Sequence, residues 1–179
     1  FLTAWMSARN LVADESLSPA HALFSCPGRK FLHVGCGWAS KPDVGPGLVS
    51  DEWQEIRLDV DPAATPDLLA SMLDMRPVPD ASVDAVYSSH NIEHLYSHEV
   101  PLALAEFFRV LKEDGFLILT CPDLQSLATL IVEDRLDQPA YHSPSGSITP
   151  LDILYGHSAS LEKGNHFMAH HTGFTLRTL

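Results

Sequence analysis

Positive charge is scarce in this chain: 11 Lys and Arg stand against 23 Asp and Glu, a formal net charge of −12. The cations are also scattered (Arg29, Lys30, Lys41, Arg57, Arg76, Arg109, Lys112) rather than gathered on one stripe. A phosphate backbone is repelled by such a chain, so no nucleic-acid partner is expected, and no anionic membrane surface either. Long apolar runs are missing: no stretch reaches the roughly 18 residues a membrane helix needs. Cysteine is sparse. Cys26, Cys36 and Cys121 are an odd number with no short paired spacing, which argues against a disulfide framework and a cysteine zinc site. The expectation is a reducing, cytoplasmic setting, with Cys36 and Cys121 as small buried hydrophobes. No charged, apolar and small-residue leader opens the chain. Its first residue is Phe1 rather than Met, which fits a part of a longer gene product.

What is present suits one folded unit. The chain has 179 residues, 45% of them hydrophobic, enough for a single sizeable core. Residues 1–29 read as a lead-in with weak helical patterns around Phe1–Val12 and Pro19–Phe24, broken at Cys26-Pro27-Gly28. Short strands are predicted at Lys30–Val34, Glu55–Leu58, Asp67–Ser71, Ser82–Ser88 and Phe116–Thr120, with a Pro- and Gly-rich loop at Lys41–Gly47. Apolar residues at helical spacing predict helices over Ile92–Leu111, stopped by Glu113-Asp114-Gly115, and over Leu124–Asp134. Alternating strands and helices, with strands apolar nearly throughout, predict an α/β fold of Rossmann-like, doubly wound, mostly parallel type. Residues 30–135 form that core. From residue 136 to 171 Pro, Ser, Gly, Tyr and His replace the periodic text, which marks an insertion at the sheet edge, where lids sit. Residues 172–179 read as the start of a C-terminal helix.

The chemistry begins at the strand-to-glycine text FLHVGCG, Phe31–Gly37. Glycines directly after a first parallel strand let backbone approach a ligand closely. A dinucleotide site wants a third glycine three residues after the second, but Trp38, Ala39 and Ser40 follow Gly37, so that fingerprint fails. S-adenosylmethionine carries no pyrophosphate, and the shorter pair suffices for it. Downstream, Asp59 ends the second strand, where a carboxylate can accept both ribose hydroxyls; Asp61 is the reserve. Asp74 follows the third strand and can accept from an adenine amino group while the Met75 amide donates to the ring.

These residues resemble the class I S-adenosylmethionine-dependent methyltransferases, and more narrowly a small bacterial type 11-like group. The likeness rests on HVGCG (33–37), LDVDP (58–62), SVDAVYSSHNIEHL (82–95) and EFFRVLKEDGFLILTCPD (106–123), with a looser echo in HFMAHHTGFTLRTL (166–179). It implies a sheet of order 3-2-1-4-5-7-6 and S-adenosylmethionine as cofactor, with S-adenosylhomocysteine as product. It implies cofactor contacts from the segment around His33, Gly35, Cys36 and Gly37, from Asp59, Asp61, Asp74 and Met75, and from Ser88, Ser89 and His90. The chain departs from the family in two places. His33 stands where an acidic residue is usual, and the text stops at Leu179 before a final helix and the strand pair six and seven.

The expected activity is methyl transfer to a small-molecule or saccharide-type acceptor, an in-line displacement in which the protein supplies alignment and a base. His90 is the base candidate because a near-neutral imidazole suits that task, and Asn91 would orient substrate. Tyr141, Tyr155, His157 and His171 are the lid candidates. Oligomeric state is open, a homodimer included. Two other classes compete: a cofactor binder without catalysis, and a zinc hydrolase, because His90-Asn91-Ile92-Glu93-His94 reads H-x-x-E-H. The latter needs a third ligand, from Glu162, His157, His166, His170 or His171. With no well-spaced third ligand, and with the motif placed directly after a strand, the expectation is no metal.

Overall fold

The computed structural model describes residues 19–45, 47–143 and 146–179; the lead-in pattern over Phe1–Val12 lies outside them. After a short helix α1 (Pro19–Ser25), five parallel strands form one sheet: β1 (Arg29–Val34), β2 (Trp53–Asp59), β3 (Leu68–Leu69), β4 (Val83–Ser89) and β5 (Leu111–Thr120). Their order is β3-β2-β1-β4-β5. The central strand β1, RKFLHV, is buried along all but its first residue, as a strand covered on both faces must be.

Period-two alternation divides the core. Leu32, Val34, Ile56, Leu58 and Val86 face one way and meet Ile92, Leu95 and the apolar stripe of α2 (Val100–Val110), where Ala103, Phe107 and Val110 are fully buried. Phe31 and Ala85 face the other way and meet Val44, Leu48 and Trp53. That second layer is not a helix. Among the described residues, the chain between β1 and β2 holds only a 3₁₀ turn at Lys41–Asp43, because its Pro and Gly residues prevent helix propagation.

Helix boundaries differ from the periodicity in a consistent way. The expected helix over Ile92–Leu111 is split into a 3₁₀ turn, Ile92–His94, and α2, which starts at Val100 with Pro101 in its first turn. It ends at Val110, before the Glu113-Asp114-Gly115 signal, and β5 takes over at once. Leu111 pairs with Val83 and Phe116 with Ala85, so residues 112–115 bulge out of the ladder. Helix α3 (Leu124–Val132) opens on Asp123, whose carboxylate accepts from the amides of Gln125 and Ser126.

The stretch from 136 onward is more ordered than its composition suggests. β6 (Tyr141–Ser143) and β7 (Gly146–Ile148) form an antiparallel hairpin separate from the main sheet. Helix α4 (Pro150–Tyr155) follows a capping box between Thr149 and Asp152, and α5 (Ser158–Glu162) comes next. Asp152 also accepts from the amide and hydroxyl of Ser158, and these bonds hold its carboxyl far below the usual range. Residues 176–178 make a turn in which the amides of Thr178 and Leu179 both donate to Thr175 O. Among the described residues no helix is long and apolar enough to cross a membrane.

Candidate functional site

The carboxyl ends of β1, β2 and β4 meet at one edge of the sheet, where parallel α/β folds place ligands. Gly35 and Gly37 both lie in the left-handed region, at φ +63° and +50°. The amides of Gly35 and Cys36 donate to Leu58 O, which fastens the glycine turn to the end of β2. Asp59 completes the fastening. One carboxylate oxygen accepts from the Gly37 amide at 2.7 Å and the other from the Asp61 amide at 2.8 Å. A carboxylate has about four acceptor positions, so Asp59 keeps capacity for ligand hydroxyls. Asp61 caps the 3₁₀ turn Pro62–Ala64 through the Ala63 amide.

A residue that the sequence reading passed over supports this turn from below. The Arg57 guanidinium donates to the carbonyls of Gly37, Ala39, Ala64 and Thr65, so it ties the glycine turn to the loop after β2. Its only signal in the sequence is its place two residues before Asp59.

Asn91 is a second such tie. Its side-chain amide donates to Val34 O, Gly35 O and Ser89 O at 3.0, 3.3 and 2.8 Å. With both amide hydrogens engaged by backbone, Asn91 locks the ends of β1 and β4 together, a role beside the substrate-orienting one expected of it. Nearby, Ser88 Oγ is fully buried with no hydrogen-bond partner among the described residues, and Ser89 Oγ pairs with Thr120 Oγ1. His90 has φ +55°, rare outside glycine, and its amide is held by Thr120 O. The Glu93 carboxylate, 3.5 Å from His90 Nδ1, raises the imidazole's pKa against the effect of burial.

Met75 and Asp74 are engaged elsewhere. The Met75 amide donates to Glu106 Oε2 at 2.6 Å and its carbonyl accepts from Arg109, so the amide is not free to meet an adenine. Glu106 and Arg109 belong to the EFFRVLK text, and their work is to hold the 75–80 loop against α2. Asp74 is exposed and paired with Arg76 through both oxygens. It lines a cleft of about 490 Å³ beside the end of β3, together with Leu69, Ala70, Ser71, Arg76 and Pro77.

His33 and Cys36 are core groups. His33 is nearly inaccessible, its ring edge-on to Tyr87 and its Nδ1 2.7 Å from Glu55 Oε1. Burial lowers its pKa, outweighing the opposing pull of Glu55. Burial pushes the Cys36 thiol up to about 11, which makes it an unreactive hydrophobe. The His33 shift has a sign that can be tested. A folded-state pKa below the unfolded value means the unfolded chain binds the proton more readily, so the stabilisation is whole above about pH 6.5 and is lost as pH falls below it. Thermal melts at pH 7.5 and 5.5 should therefore differ less for His33→Gln than for the parent; equal differences would show that His33 titrates normally.

A second cleft, about 420 Å³, opens beside His90. It is walled by Pro122, Asp123, Ser126, Leu127 and Leu130 from the start of α3, and by Ala140, Tyr141 and Ile153 from the late segment. Of the lid candidates only Tyr141 lines it. Tyr155 is exposed, His157 bonds to Ser160 Oγ, and His171 stacks on Tyr96 with ring centroids 4.3 Å apart. The same region holds a group with metal-ligand character: Glu93, His94 and His170 bring one ligand atom each to within 4.8 Å of one another.

The geometry fits S-adenosylmethionine. Among the described residues, Gly37 has open space where a Cβ would project, Asp59 has spare acceptor capacity beside it, and Ser88 has a buried hydroxyl without a partner at the adjoining strand end.

Comparison with known proteins agrees. Residues 32–119 match the family model described as "Methyltransferase domain". A protein of Mycolicibacterium smegmatis described as a "probable S-adenosylmethionine-dependent methyltransferase" is 34% identical over 108 residues, covering 55% of this chain and 40% of that protein. The chain thus spans well under half the length of this curated relative. Among solved structures, a S-adenosylmethionine-dependent methyltransferase from Aquifex aeolicus aligns at TM-score 0.43 and 20% identity over 59% of this chain and 64% of its own. One from Archaeoglobus fulgidus aligns at TM-score 0.46 and 18% identity over 76% and 58%. The sheet order, the glycine turn with its acidic strand end and the family match agree: residues 32–119 match the methyltransferase domain of the class I, type 11-like S-adenosylmethionine-dependent kind, whose cofactor is S-adenosylmethionine.

Proposed function

We propose that the chain carries out methyl transfer from S-adenosylmethionine to a small-molecule or saccharide-type acceptor held in the cleft beside His90. The observation that carries this reading is the position of that cleft: it shares His90 with the carboxyl end of β4, next to the glycine turn and Asp59. When bound, the cofactor supplies an electrophilic methyl group on a sulfonium. Asp59 accepts the ribose hydroxyls, Gly35–Gly37 pass beneath the methionine part, and Asp74, beside the end of β3, is the candidate for the adenine amino group. Ser88, Ser89 and His90 border the methyl end. His90, exposed on its outer side, takes the proton when the acceptor is a hydroxyl or amine. The net charge of −12 supports a small acceptor over a nucleic acid.

Residues 136–171 act in this reading as a cover over the cleft, with Tyr141 and Ile153 as its inner face. Closing it excludes water from the reacting centre. Two measurements test the proposal. With a panel of hydroxylated acceptors, formation of S-adenosylhomocysteine should fall about 100-fold or more in His90→Ala, as removal of a general base does; an unchanged rate removes His90 from the reaction. Hydrogen exchange across 136–171 should slow when S-adenosylhomocysteine is added. Equal protection with and without it would make the segment a fixed part of the core.

A further inference from the structure

We propose that Glu93, His94 and His170 form a binding site for one divalent transition-metal ion of the zinc class, adjoining His90 and Ile153 of the cleft lining. Three features of the fold converge on it. The first is Glu93. Its side chain is about 2% exposed, and neither carboxylate oxygen has a hydrogen-bond partner among the described residues. His90 Nδ1 stands 3.5 Å from Oε1, a long ion-pair contact that leaves Oε2 unmet. A buried carboxylate so weakly met is costly unless a further cation reaches it.

The second feature is the orientation of the two imidazoles. His94 Nδ1 lies 3.0 Å from Ala169 O, and His170 Nδ1 lies 2.8 Å from Ile153 O. A carbonyl only accepts, so in each ring Nδ1 carries the hydrogen and Nε2 keeps its lone pair. Backbone carbonyls fixing the tautomer of ligand histidines is the usual outer shell of a metal site. The rings pack against each other with centroids 4.9 Å apart, and the ligand atoms of all three residues lie within 4.8 Å of one another. Bonds of about 2.0–2.2 Å to a common ion need on the order of 1 Å of further closure.

The third feature is how the chain delivers His170. The amides of His171 and Thr172 both donate to Glu93 O, and the His170 amide donates to Tyr155 O. Gly156 makes room for this return: a Cβ there would stand 1.9 Å from Met168 O. Backbone contacts from both sides therefore hold the late segment against the Glu93-His94 turn. This supplies the third ligand that the sequence spacing around H-x-x-E-H could not.

Two imidazoles and one carboxylate favour zinc and its transition-metal neighbours over magnesium or calcium. Three protein ligands leave a position for water or for an acceptor atom from the adjoining cleft. Only that last use, polarising an acceptor, rests on the methyl-transfer reading; the metal site itself does not.

The test is a titration of chelator-stripped protein with zinc chloride, and separately with magnesium chloride, against a chromophoric competitor. S-adenosylhomocysteine binding is measured on the same samples. The expected result is one zinc per chain, at least 100-fold tighter than magnesium, weakened at least tenfold in both His170→Ala and Glu93→Gln. His170→Ala should keep its affinity for S-adenosylhomocysteine, which shows that the fold survives. Failure to bind zinc in a parent protein that binds S-adenosylhomocysteine overturns the site and leaves the methyl-transfer reading standing. Zinc affinity unchanged in His170→Ala, or magnesium bound as tightly, overturns it also. Zinc bound as expected by a protein that does not take S-adenosylhomocysteine supports the site and counts against methyl transfer.

Discussion

An Asp59→Ala protein binds S-adenosylmethionine at least tenfold more weakly than the parent. The carboxylate sits at the end of β2 with little exposure, and it already accepts from the Gly37 and Asp61 amides. It keeps acceptor positions beyond these two, beside the glycine turn, for ribose hydroxyls that would donate to a charge. Hydrogen bonds to a charged group contribute about 1.5–3 kcal/mol, which converts to about tenfold or more in affinity. Part of the loss comes through the turn itself, since both amides lose their acceptor. Asp59→Asn separates the two effects: it keeps the shape and one acceptor oxygen but removes the charge, so calorimetry should place it between parent and Ala. Affinity unchanged in Asp59→Ala would move the ribose contact to Asp61.

The second large effect belongs to Gly35→Ala, and it is an effect on folding. A Cβ at Gly35 would stand 1.9 Å from Asn91 Oδ1 and 2.2 Å from Cγ. Asn91 cannot step aside freely, because its amide is held by Val34 O, Gly35 O and Ser89 O. Alanine at φ +63° costs about 1–2 kcal/mol by conformation alone, and each displaced Asn91 bond about 1 kcal/mol more. The expected destabilisation is about 3 kcal/mol or more, roughly 6–12 °C in Tm for a chain of this size. Gly37→Ala is the internal comparison. Its φ is +50°, but no described residue lies within 4 Å of the added Cβ, so it carries the conformational cost only. Equal melting temperatures for the two variants would show that Asn91 does not lock the turn.

The parts legible in the sequence were those with a local physical signature. Parallel strands betray themselves by continuous apolar text, which located β1, β4 and the apolar half of β5. Gly35 and Gly37 were visible because a turn at positive φ after a strand demands glycine, and Asp59 because a strand end opposite that turn needs an acceptor. What escaped was set by tertiary context. Arg57 reads as a surface cation until the fold turns its guanidinium on four carbonyls. Asn91 sits in text suggesting substrate contact, yet two strand ends claim its amide. The Met75 amide is taken by Glu106, thirty-one positions away, a pairing no local pattern encodes. Ile92–Leu111 carries helical periodicity throughout, but Pro101 and the 3₁₀ turn at Ile92–His94 delay the helix to Val100. His170 reaches Glu93 and His94 only because Gly156 permits a close return of the chain, a long-range event no spacing rule near H-x-x-E-H foresees.

A S-adenosylmethionine site formed by the carboxyl ends of β1, β2 and β4, beside the His90 cleft, is open to direct measurement. Isotopically labelled protein is titrated with S-adenosylhomocysteine and its backbone amide resonances are followed. The expected result is saturable shifts concentrated at residues 35–37, 59–61 and 88–90, with weaker changes at Tyr141 and Ile153. Shifts confined to 153–170, or none at saturating concentration, would contradict it.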